Sequence, residues 1–181
     1  MSVRGRLLVA TPQLTDPNFS RTVVLIVEHD RDGAFGVVVN RPTDSRVADA
    51  LEPWADVASA PAVVFRGGPV SLDQAIGLAM RDGATPGPGW APLFGSLGCA
   101  DLSAGPTAPA FQRLRAFVGS SGWGSGQLER EIEEGSWFVV DAEPEADVFS
   151  ADPNRLWAAV LRRQPGRIAW FANAPYDVSA N

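Results

Sequence analysis

The sequence predicts a single α/β domain in which helices pack on a mixed β-sheet. Three observations indicate this class. Strand-like apolar segments outnumber helical ones, and neighbouring strands are joined both by a hairpin and through helices. A chain of 181 residues, 45% of them hydrophobic, is also long enough to bury one sizeable core. We therefore expect one domain over residues 1–181.

The first forty residues contribute the predicted centre of the sheet. Arg6–Ala10 is a short apolar strand, and residues 22–28 are rich in β-branched side chains that are apolar on both faces, which is typical of a central strand. A polar turn over residues 29–33 ends in Asp-Gly and predicts a hairpin to a second strand over residues 34–40. Gly36 inside that strand indicates a bulge or a close neighbour.

The middle of the chain alternates short strands with loops. Ser45 is placed to cap a short helix with Val47, Leu51 and Trp54 on one face, and Pro53 is expected to end it. Strands are predicted over residues 62–66, 75–80 and, weakly, 93–102. Proline and glycine predict loops over residues 83–92 and 103–109.

The last third combines three strands with two helices. A strand over residues 115–119 leads into a glycine-rich loop over residues 120–126. A helix over 127–134 that stops at Gly135 and a strand over 136–141 are predicted next. Residues 143–147 are predicted to be a solvated acidic connector. It leads to a helix from Asp152-Pro153 to Arg163 and an edge strand over 168–172. Four arginines at the end of the last helix are expected to be solvated: Arg155, Arg162, Arg163 and Arg167.

The composition excludes several functions. All 15 cationic residues are arginines, so chemistry that needs a lysine amine is excluded, including Schiff bases, P-loop phosphate binding and Ser-Lys dyads. The net charge of −6 disfavours a nucleic-acid surface. We expect no membrane partner and a cytoplasmic location, because no apolar run spans a bilayer, no secretory signal is visible, and the lone Cys99 suits a reducing compartment.

His29 is the only histidine and the first candidate for catalysis. Beside three acids of its turn it could act as a general base; the alternative is a polar turn residue outside the core. The sequence favours the alternative, because it contains no Gly-x-Ser-x-Gly nucleophile motif. We therefore assign no catalytic residue.

No metal or cofactor is expected. One His and one Cys cannot supply a nitrogen-and-sulfur zinc site, and the acids of residues 143–147 lack the glycine and distal Glu of a calcium loop. Cys99 has no cationic neighbour in sequence and is expected to be a buried, inert thiol.

The glycines at 122, 124 and 126 precede a predicted helix and could bind an anion through free N–H groups. The alternative is a structural turn. The turn is favoured, because Gln127 replaces the third glycine of a dinucleotide motif and the first helical turns already carry Glu129 and Glu131.

Several ordered motifs closely resemble the YqgE/AlgH family: GRLLVATP at 5–12, DPNF at 16–19, RTVVLIVEH at 21–29, GAFG at 33–36, NRP at 40–42, GGPV at 67–70, and GWG at 122–124 followed by GQLE at 126–129. The resemblance implies a compact α/β fold with a mixed, largely antiparallel, barrel-like sheet in a bacterial cytoplasmic protein, and it supplies no catalytic residues. One branch is labelled a transcriptional regulator of alginate synthesis, but this chain shows no helix-turn-helix pattern. Residues 83–110 match no motif and are interpreted as a Pro/Gly-rich elaboration within the domain.

The polar, glycine and tryptophan residues of these motifs fall at predicted strand ends and in loops, where binding sites are built on a rigid scaffold. We expect several of them to form one pocket or partner surface; alternatively, ion pairs such as Asp16–Arg21 and Arg41–Glu131 only hold loops together. The candidates are Asp16, Arg21, His29, Asn40, Arg41, Gly67, Gly68, Gly122, Trp123, Gln127 and Glu131.

The leading functional prediction is a non-catalytic binding or regulatory protein for a small ligand or a protein partner, neither of them identified by the sequence. A hydrolase-like enzyme that uses His29 or a carboxylate is the alternative. A regulator that acts on DNA directly or indirectly ranks third, because the acidic charge disfavours a DNA surface. The sequence leaves the oligomeric state open.

Overall fold

Ten strands form one curled sheet in the computed structural model, which describes residues 2–82, 86–106 and 111–175. Eight of them follow the order β10-β1-β2-β3-β9-β6-β8-β7, and every neighbouring pair in this order is antiparallel. The strands are β1 Arg6–Ala10, β2 Val23–Asp30, β3 Gly33–Val38, β4 Pro42–Arg46, β5 Val63–Arg66, β6 Val70–Arg81, β7 Trp90–Phe94, β8 Leu97–Ala100, β9 Phe111–Gly124 and β10 Trp137–Asp141.

A parallel contact makes the sheet mixed. β5 pairs parallel with β9 and antiparallel with β4, so β9 has three strand partners. The predicted class, an α/β fold with a mixed, largely antiparallel, barrel-like sheet, is confirmed, and the sheet is a half-barrel. The α-helices of the described chain are α1 Val47–Ala50, α2 Gln127–Glu133, α3 Pro144–Asp147 and α4 Leu156–Arg162, and 3-10 turns cover Glu52–Val57, Leu102–Ala104, Pro153–Arg155 and Gly166–Asn173.

β2 is buried on both faces, as its sequence predicts. Its alternate side chains enter two different cores, because successive residues of a strand point to opposite sides. Leu25 belongs to the larger core with Trp157 of α4, whereas Val24 belongs to a second core with Trp123 and Trp137. This two-sided burial fixes the register of the N-terminal hairpin.

Gly36 serves both purposes that its position predicts. A β-bulge in β2 lies between Ile26 and Glu28, opposite Gly36 and its neighbour Phe35. A Cβ atom at Gly36 would lie 2.5 Å from the carbonyl oxygen of Leu25. The backbones of β2 and β3 therefore approach each other too closely for any other residue.

Two predicted loops are strand in the structure. The predicted glycine-rich loop over residues 120–126 is largely the end of β9, because Ser121 and Gly122 pair with Gly36 and Phe35 of β3. The predicted polar turn is also shorter: His29 lies in β2 and pairs with Ala34. In both cases pairing with a neighbouring strand outweighs the local turn preference of the sequence.

The prediction that Ser45 caps a short helix is wrong in its details. Ser45 lies in β4, and α1 begins after Arg46 without a side-chain cap. Pro53 lies in the first turn of the 3-10 helix Glu52–Val57, where proline is tolerated. It therefore does not end a helix. The predicted apolar face is confirmed for two of its residues, since Val47 and Trp54 are both buried.

The predicted edge strand over residues 168–172 is also wrong, because this segment is a 3-10 turn. Phe171 packs on Phe138 of β10 with ring centroids 5.4 Å apart, and Ile168 and Ala172 contact the larger core. The segment therefore lies against the sheet instead of extending it. Trp170 is left 72% exposed.

Residues 143–147 are only in part the predicted solvated connector, because Glu143 and Glu145 are exposed but Asp147 is buried. They include α3, and the side chain of Asp147 is 0% exposed and forms an ion pair with Arg163. Arg163 is therefore not a solvated helix end either. A buried carboxylate requires such a partner, and the partner comes from a helix that follows later in the chain.

The predicted strand over residues 62–66, the helix over 127–134 and the strand over 136–141 agree with the structure to within a residue or two at each end. The predicted weak strand over 93–102 is a hairpin, β7 and β8, which lengthens the sheet. Residues 83–85 and 107–110 of the predicted loops, and the tail after 175, lie outside the described residues. Among the described residues, no helix is long and apolar enough to cross a bilayer.

Candidate functional site

Two adjoining cavities open beside the ends of β3 and β5, and we call them together the arginine cleft. The larger has a volume of about 630 Å³ and the smaller about 130 Å³. Both are lined by Pro17 and Arg41. The larger also contacts Ser20, Arg21, Asn40, Pro42, Asn154, Trp157 and Ala158, and the smaller Asn18, Val38, Arg66, Gly68 and Pro69.

Asn40 builds the wall of the arginine cleft. Its side chain is 7% exposed, its Oδ1 accepts a hydrogen bond from the Val23 N–H at 2.9 Å, and its Nδ2 donates to the carbonyl of Arg21 at 2.9 Å. These bonds tie the loop before β2 to the chain that leaves β3. Arg21 is held with a φ of 55°, a left-handed conformation that is rare outside glycine.

Arg21 lies against the aromatic wall of the larger cavity. Its guanidinium carbon is 4.4 Å from the ring centroid of Trp157, within range of a cation–π interaction. Its Nη2 also donates to the carbonyl oxygens of Ala174 and Pro175. The residue thus joins the loop before β2 to α4 and to the chain after the last 3-10 turn.

The backbones of Arg41 and Arg66 are joined, because the N–H of Arg66 donates to the carbonyl of Arg41 at 2.8 Å, and both residues line the smaller cavity. The Arg41 Nη2 also donates to the carbonyl of Ser20 at 2.6 Å. Both arginines are exposed, and within the described chain neither forms an ion pair with a carboxylate. The arginine cleft is therefore a local concentration of positive charge in a chain with a net charge of −6.

A second group of candidate residues surrounds Glu131, apart from the arginine cleft. The Nε1 groups of Trp123 and Trp137 each donate to its Oε2 at 2.9 Å, and the Nε2 of Gln127 donates to its Oε1 at 2.9 Å. Gln127 in turn accepts from the N–H of Gly124 at 3.1 Å. The Arg41–Glu131 ion pair of the alternative hypothesis is not formed. The network instead fixes α2 on the sheet, which is a structural role.

Both ring nitrogens of His29 are engaged. Its Nδ1 accepts from the backbone N–H of Val3 at 3.0 Å, so the ring hydrogen is on Nε2, which donates to Glu129 Oε1 at 2.9 Å. The pKa of the Glu129 carboxyl is lowered by a hydrogen bond from its own backbone N–H and then by His29. The His29 side chain is 5% exposed, so the expected turn residue outside the core is incorrect.

The three glycine candidates differ in their environments. A Cβ at Gly67 would lie 2.3 Å from the carbonyl oxygen of Gly119, and one at Gly68 would lie 2.1 Å from that of Ser120. These two glycines allow the chain after β5 to approach β9. A Cβ at Gly122 would have its nearest neighbour, Val70, at 4.0 Å. No steric reason in the structure explains the glycine at 122.

The structure thus brings Arg21, Asn40 and Arg41 into one cavity and Gly68 into the adjoining one. Asp16 lies in the exposed loop nearby, where its Oδ1 accepts from the N–H of Asn18 at 2.7 Å. Arg66 and Trp157 line the arginine cleft but are not among the predicted residues. Arg66 directly precedes the Gly-Gly-Pro motif and could have been found by its position; Trp157 has no local motif.

A further arginine is buried in β9, outside the arginine cleft. Arg115 donates from Nη2 to the carbonyls of Ala60 at 2.9 Å and Ser150 at 3.3 Å, and its guanidinium carbon lies 4.2 Å from the ring centroid of Phe65. Burial lowers the pKa of Arg115 to about 10, which leaves it charged at neutral pH. Its contacts join two loops to the sheet, so we assign it a structural role.

The described parts of the chain contain no group of three or more His, Cys, Asp or Glu side chains placed to hold a metal ion. Cys99 is partly buried, and its pKa is raised, first by burial and then by the charge of Glu28, against the opposing effect of Arg4. A thiol with a raised pKa forms less of the reactive thiolate.

Cys99 of the folded protein is therefore expected to react with iodoacetamide at least about ten-fold more slowly than in the urea-unfolded chain at the same mildly alkaline pH. Mass spectrometry of timed samples measures both rates. Equal rates in the two states would contradict the burial of this thiol.

The curled mixed sheet with its helices defines a half-barrel α/β protein, and the arginine cleft is its candidate site. The sequence profile described as AlgH-like matches residues 7–169, and the chain belongs to this family. The resemblance to the YqgE/AlgH family seen in the motifs is thereby confirmed.

Relatives share almost the whole chain. A UPF0301 protein of Streptomyces coelicolor is 54% identical over 186 residues, covering 99% of this chain and 96% of that protein. A UPF0301 protein of Mycobacterium leprae is 46% identical over 182 residues, covering 98% of this chain and 90% of that protein.

Two solved structures have the same fold. The crystal structure of protein DIP2367 from Corynebacterium diphtheriae superposes with a TM-score of 0.85 at 30% identity, over 95% of this chain and 92% of that one. The solution structure of AlgH from Pseudomonas aeruginosa gives a TM-score of 0.64 at 28% identity, over 91% of this chain and 95% of that one.

Proposed function

We propose that this protein is a non-catalytic binding module that takes up a small anionic ligand in the arginine cleft. The observation that carries the proposal is that Arg41 and Arg66 line the same small cavity without a carboxylate partner in the described chain. An anion bound in that cavity would offset the repulsion between their two positive charges.

The dimensions of the arginine cleft support a small ligand. Its larger cavity, at about 630 Å³, falls in the range of about 300–1,000 Å³ that is typical of small-molecule sites. Guanidinium groups offer planar, forked donors that match carboxylate and phosphate oxygens. The buried Asn40 is held by hydrogen bonds from both ends of its amide, and a strained backbone such as that of Arg21 is a feature that recurs at functional sites.

The other functions have less support. His29 uses both ring nitrogens within the fold, and it lies six residues along β2 from Val23, about 20 Å from the arginine cleft at the rise of a strand. A direct DNA contact is opposed by the net charge of −6. A regulatory role, which the name of AlgH suggests, would then act through the ligand. We place the protein in the cytoplasm, in keeping with its lone thiol.

A thermal-shift screen of small carboxylates and phosphates tests the proposal. A ligand present at about 100 times its Kd adds roughly 2.7 kcal/mol to the stability of the folded protein, so binding raises Tm. We expect at least one anion to raise Tm and Arg41→Gln to weaken its binding at least about ten-fold, the cost of one charge-assisted contact.

Arg113→Gln is the matched control, because Arg113 is also an exposed arginine that has no ion pair among the described residues, and it lies outside the arginine cleft. It is expected to bind like the unsubstituted protein. Failure of every anion to raise Tm, or equal binding by Arg41→Gln and Arg113→Gln, would refute the proposed function.

A further inference from the structure

We propose that the ligand is a phosphate monoester, with its phosphoryl group in the smaller cavity and its organic part in the larger one. This inference rests on the proposed function and narrows it. The two cavities adjoin at Pro17 and Arg41, so a single ligand can occupy both by passing these residues.

The size of the smaller cavity fits one phosphoryl group. At about 130 Å³ it has room for a phosphoryl group, which consists of a phosphorus and three terminal oxygens. The larger cavity, at about 630 Å³, has more room for the organic part of the ligand.

Charge favours a phosphoryl group over a carboxylate in the smaller cavity. Arg41 and Arg66 both line it, and their side chains have no carboxylate partner in the described chain. A carboxylate carries one charge and two oxygens, which a single guanidinium fork can satisfy. A phosphate monoester carries about −1.5 to −2 charges at neutral pH and three terminal oxygens, so it can accept from both arginines.

The lining of the larger cavity fits a short polar body. Pro17 and Ala158 provide apolar surface, whereas Ser20 and Asn154 provide side chains that can donate to and accept from hydroxyl groups. Trp157 is 3% exposed and the guanidinium of Arg21 covers one face of its ring, so the ring offers little surface for stacking. A phosphorylated polyol or small sugar matches this lining better than a nucleotide base does.

The experiment uses glycerol 3-phosphate, glycerate and orthophosphate as probes, titrated calorimetrically into the full-length protein at low salt. Glycerate places a carboxylate on the same kind of three-carbon body, and orthophosphate lacks the organic part. We expect glycerol 3-phosphate to bind at least about ten-fold more tightly than glycerate, the difference that one additional charge-assisted hydrogen bond supplies. It is also expected to bind more tightly than orthophosphate, because its glycerol body adds hydrogen bonds in the larger cavity.

Arg66→Gln is expected to weaken the binding of glycerol 3-phosphate at least about ten-fold and to change the binding of glycerate little, because Arg41 alone can satisfy a carboxylate in the smaller cavity. Arg113→Gln serves again as the control. Arg66 is exposed, so its substitution should leave the fold intact, which circular dichroism checks. The broadening of the ³¹P resonance of glycerol 3-phosphate by the unsubstituted protein gives a second measure of binding.

The outcomes separate the two proposals. Equal affinities for glycerate and glycerol 3-phosphate, or binding that Arg41→Gln weakens and Arg66→Gln does not, would overturn the phosphoryl assignment and leave an anion site. Orthophosphate that binds as tightly as glycerol 3-phosphate would overturn the role given to the larger cavity. If none of the probes binds and no other anion raises Tm, both proposals fail.

Discussion

Replacing Arg163 with methionine is expected to lower the free energy of unfolding by about 3–5 kcal/mol, because it leaves a buried carboxylate without its counter-ion. Asp147 is 0% exposed, and its two oxygens accept from Nη1 and Nη2 of Arg163, both at 2.6 Å. Its Oδ2 also accepts from the backbone N–H of Glu143 at 2.7 Å. The hydrogen bonds to Asp147 raise the pKa of Arg163.

Urea denaturation monitored by circular dichroism measures this effect. The double variant Asp147→Leu/Arg163→Met is expected to be more stable than Arg163→Met alone, because it removes the buried charge together with its partner. Arg162→Met, an exposed neighbour at the end of α4, should change stability by less than about 0.5 kcal/mol. A stability of Arg163→Met within about 1 kcal/mol of the unsubstituted protein would show that this pair is not buried as described.

Gly68→Ala is expected to destabilise the protein by about 3 kcal/mol or more, since overpacking and backbone strain each cost about 1–3 kcal/mol. The new Cβ would lie 2.1 Å from the carbonyl oxygen of Ser120 and 2.4 Å from Oγ of Ser121. The backbone of Gly68 also has a φ of 154°, which L-residues rarely adopt. Relief of the clash requires the chain after β5 to move away from β9.

Gly122→Ala is the matched control for this prediction. It belongs to another glycine motif, but its Cβ would have no neighbour closer than 4.0 Å, so its stability should change by less than about 1 kcal/mol. Thermal and urea unfolding of the two variants make the comparison. Equal stabilities would mean that the approach of Gly68 to β9 imposes no steric limit.

The local sequence predicts the fold class because the central strands can be recognised from their own residues. Residues 23–27 carry β-branched and apolar side chains on both faces, and only a strand inside a covered sheet accommodates that pattern. Gly135 ends α2 where its position predicts, with a left-handed φ of 81°. Such features depend on neighbouring residues and can be recognised without a structure.

The candidate site was only partly predictable, for physical reasons. The grouping of Arg21, Asn40 and Arg41 follows from motifs at the ends of neighbouring strands, whereas Trp157 comes from a distant helix. The local sequence predicts a loop at the glycine-rich end of β9, whereas its strand conformation is imposed by pairing with β3, which is distant in sequence.

The pairing of β1 with β10 has a consequence for how the chain is made. β1 begins at residue 6, but one of its two neighbours is complete only at residue 141. The apolar β1–β3 segment therefore leaves the ribosome long before its outer edge can be covered, and an uncovered apolar strand edge invites association with other chains. Pairings between distant parts of a sequence also slow folding. We expect this protein to complete its sheet only after most of its synthesis, and to depend on chaperones until then.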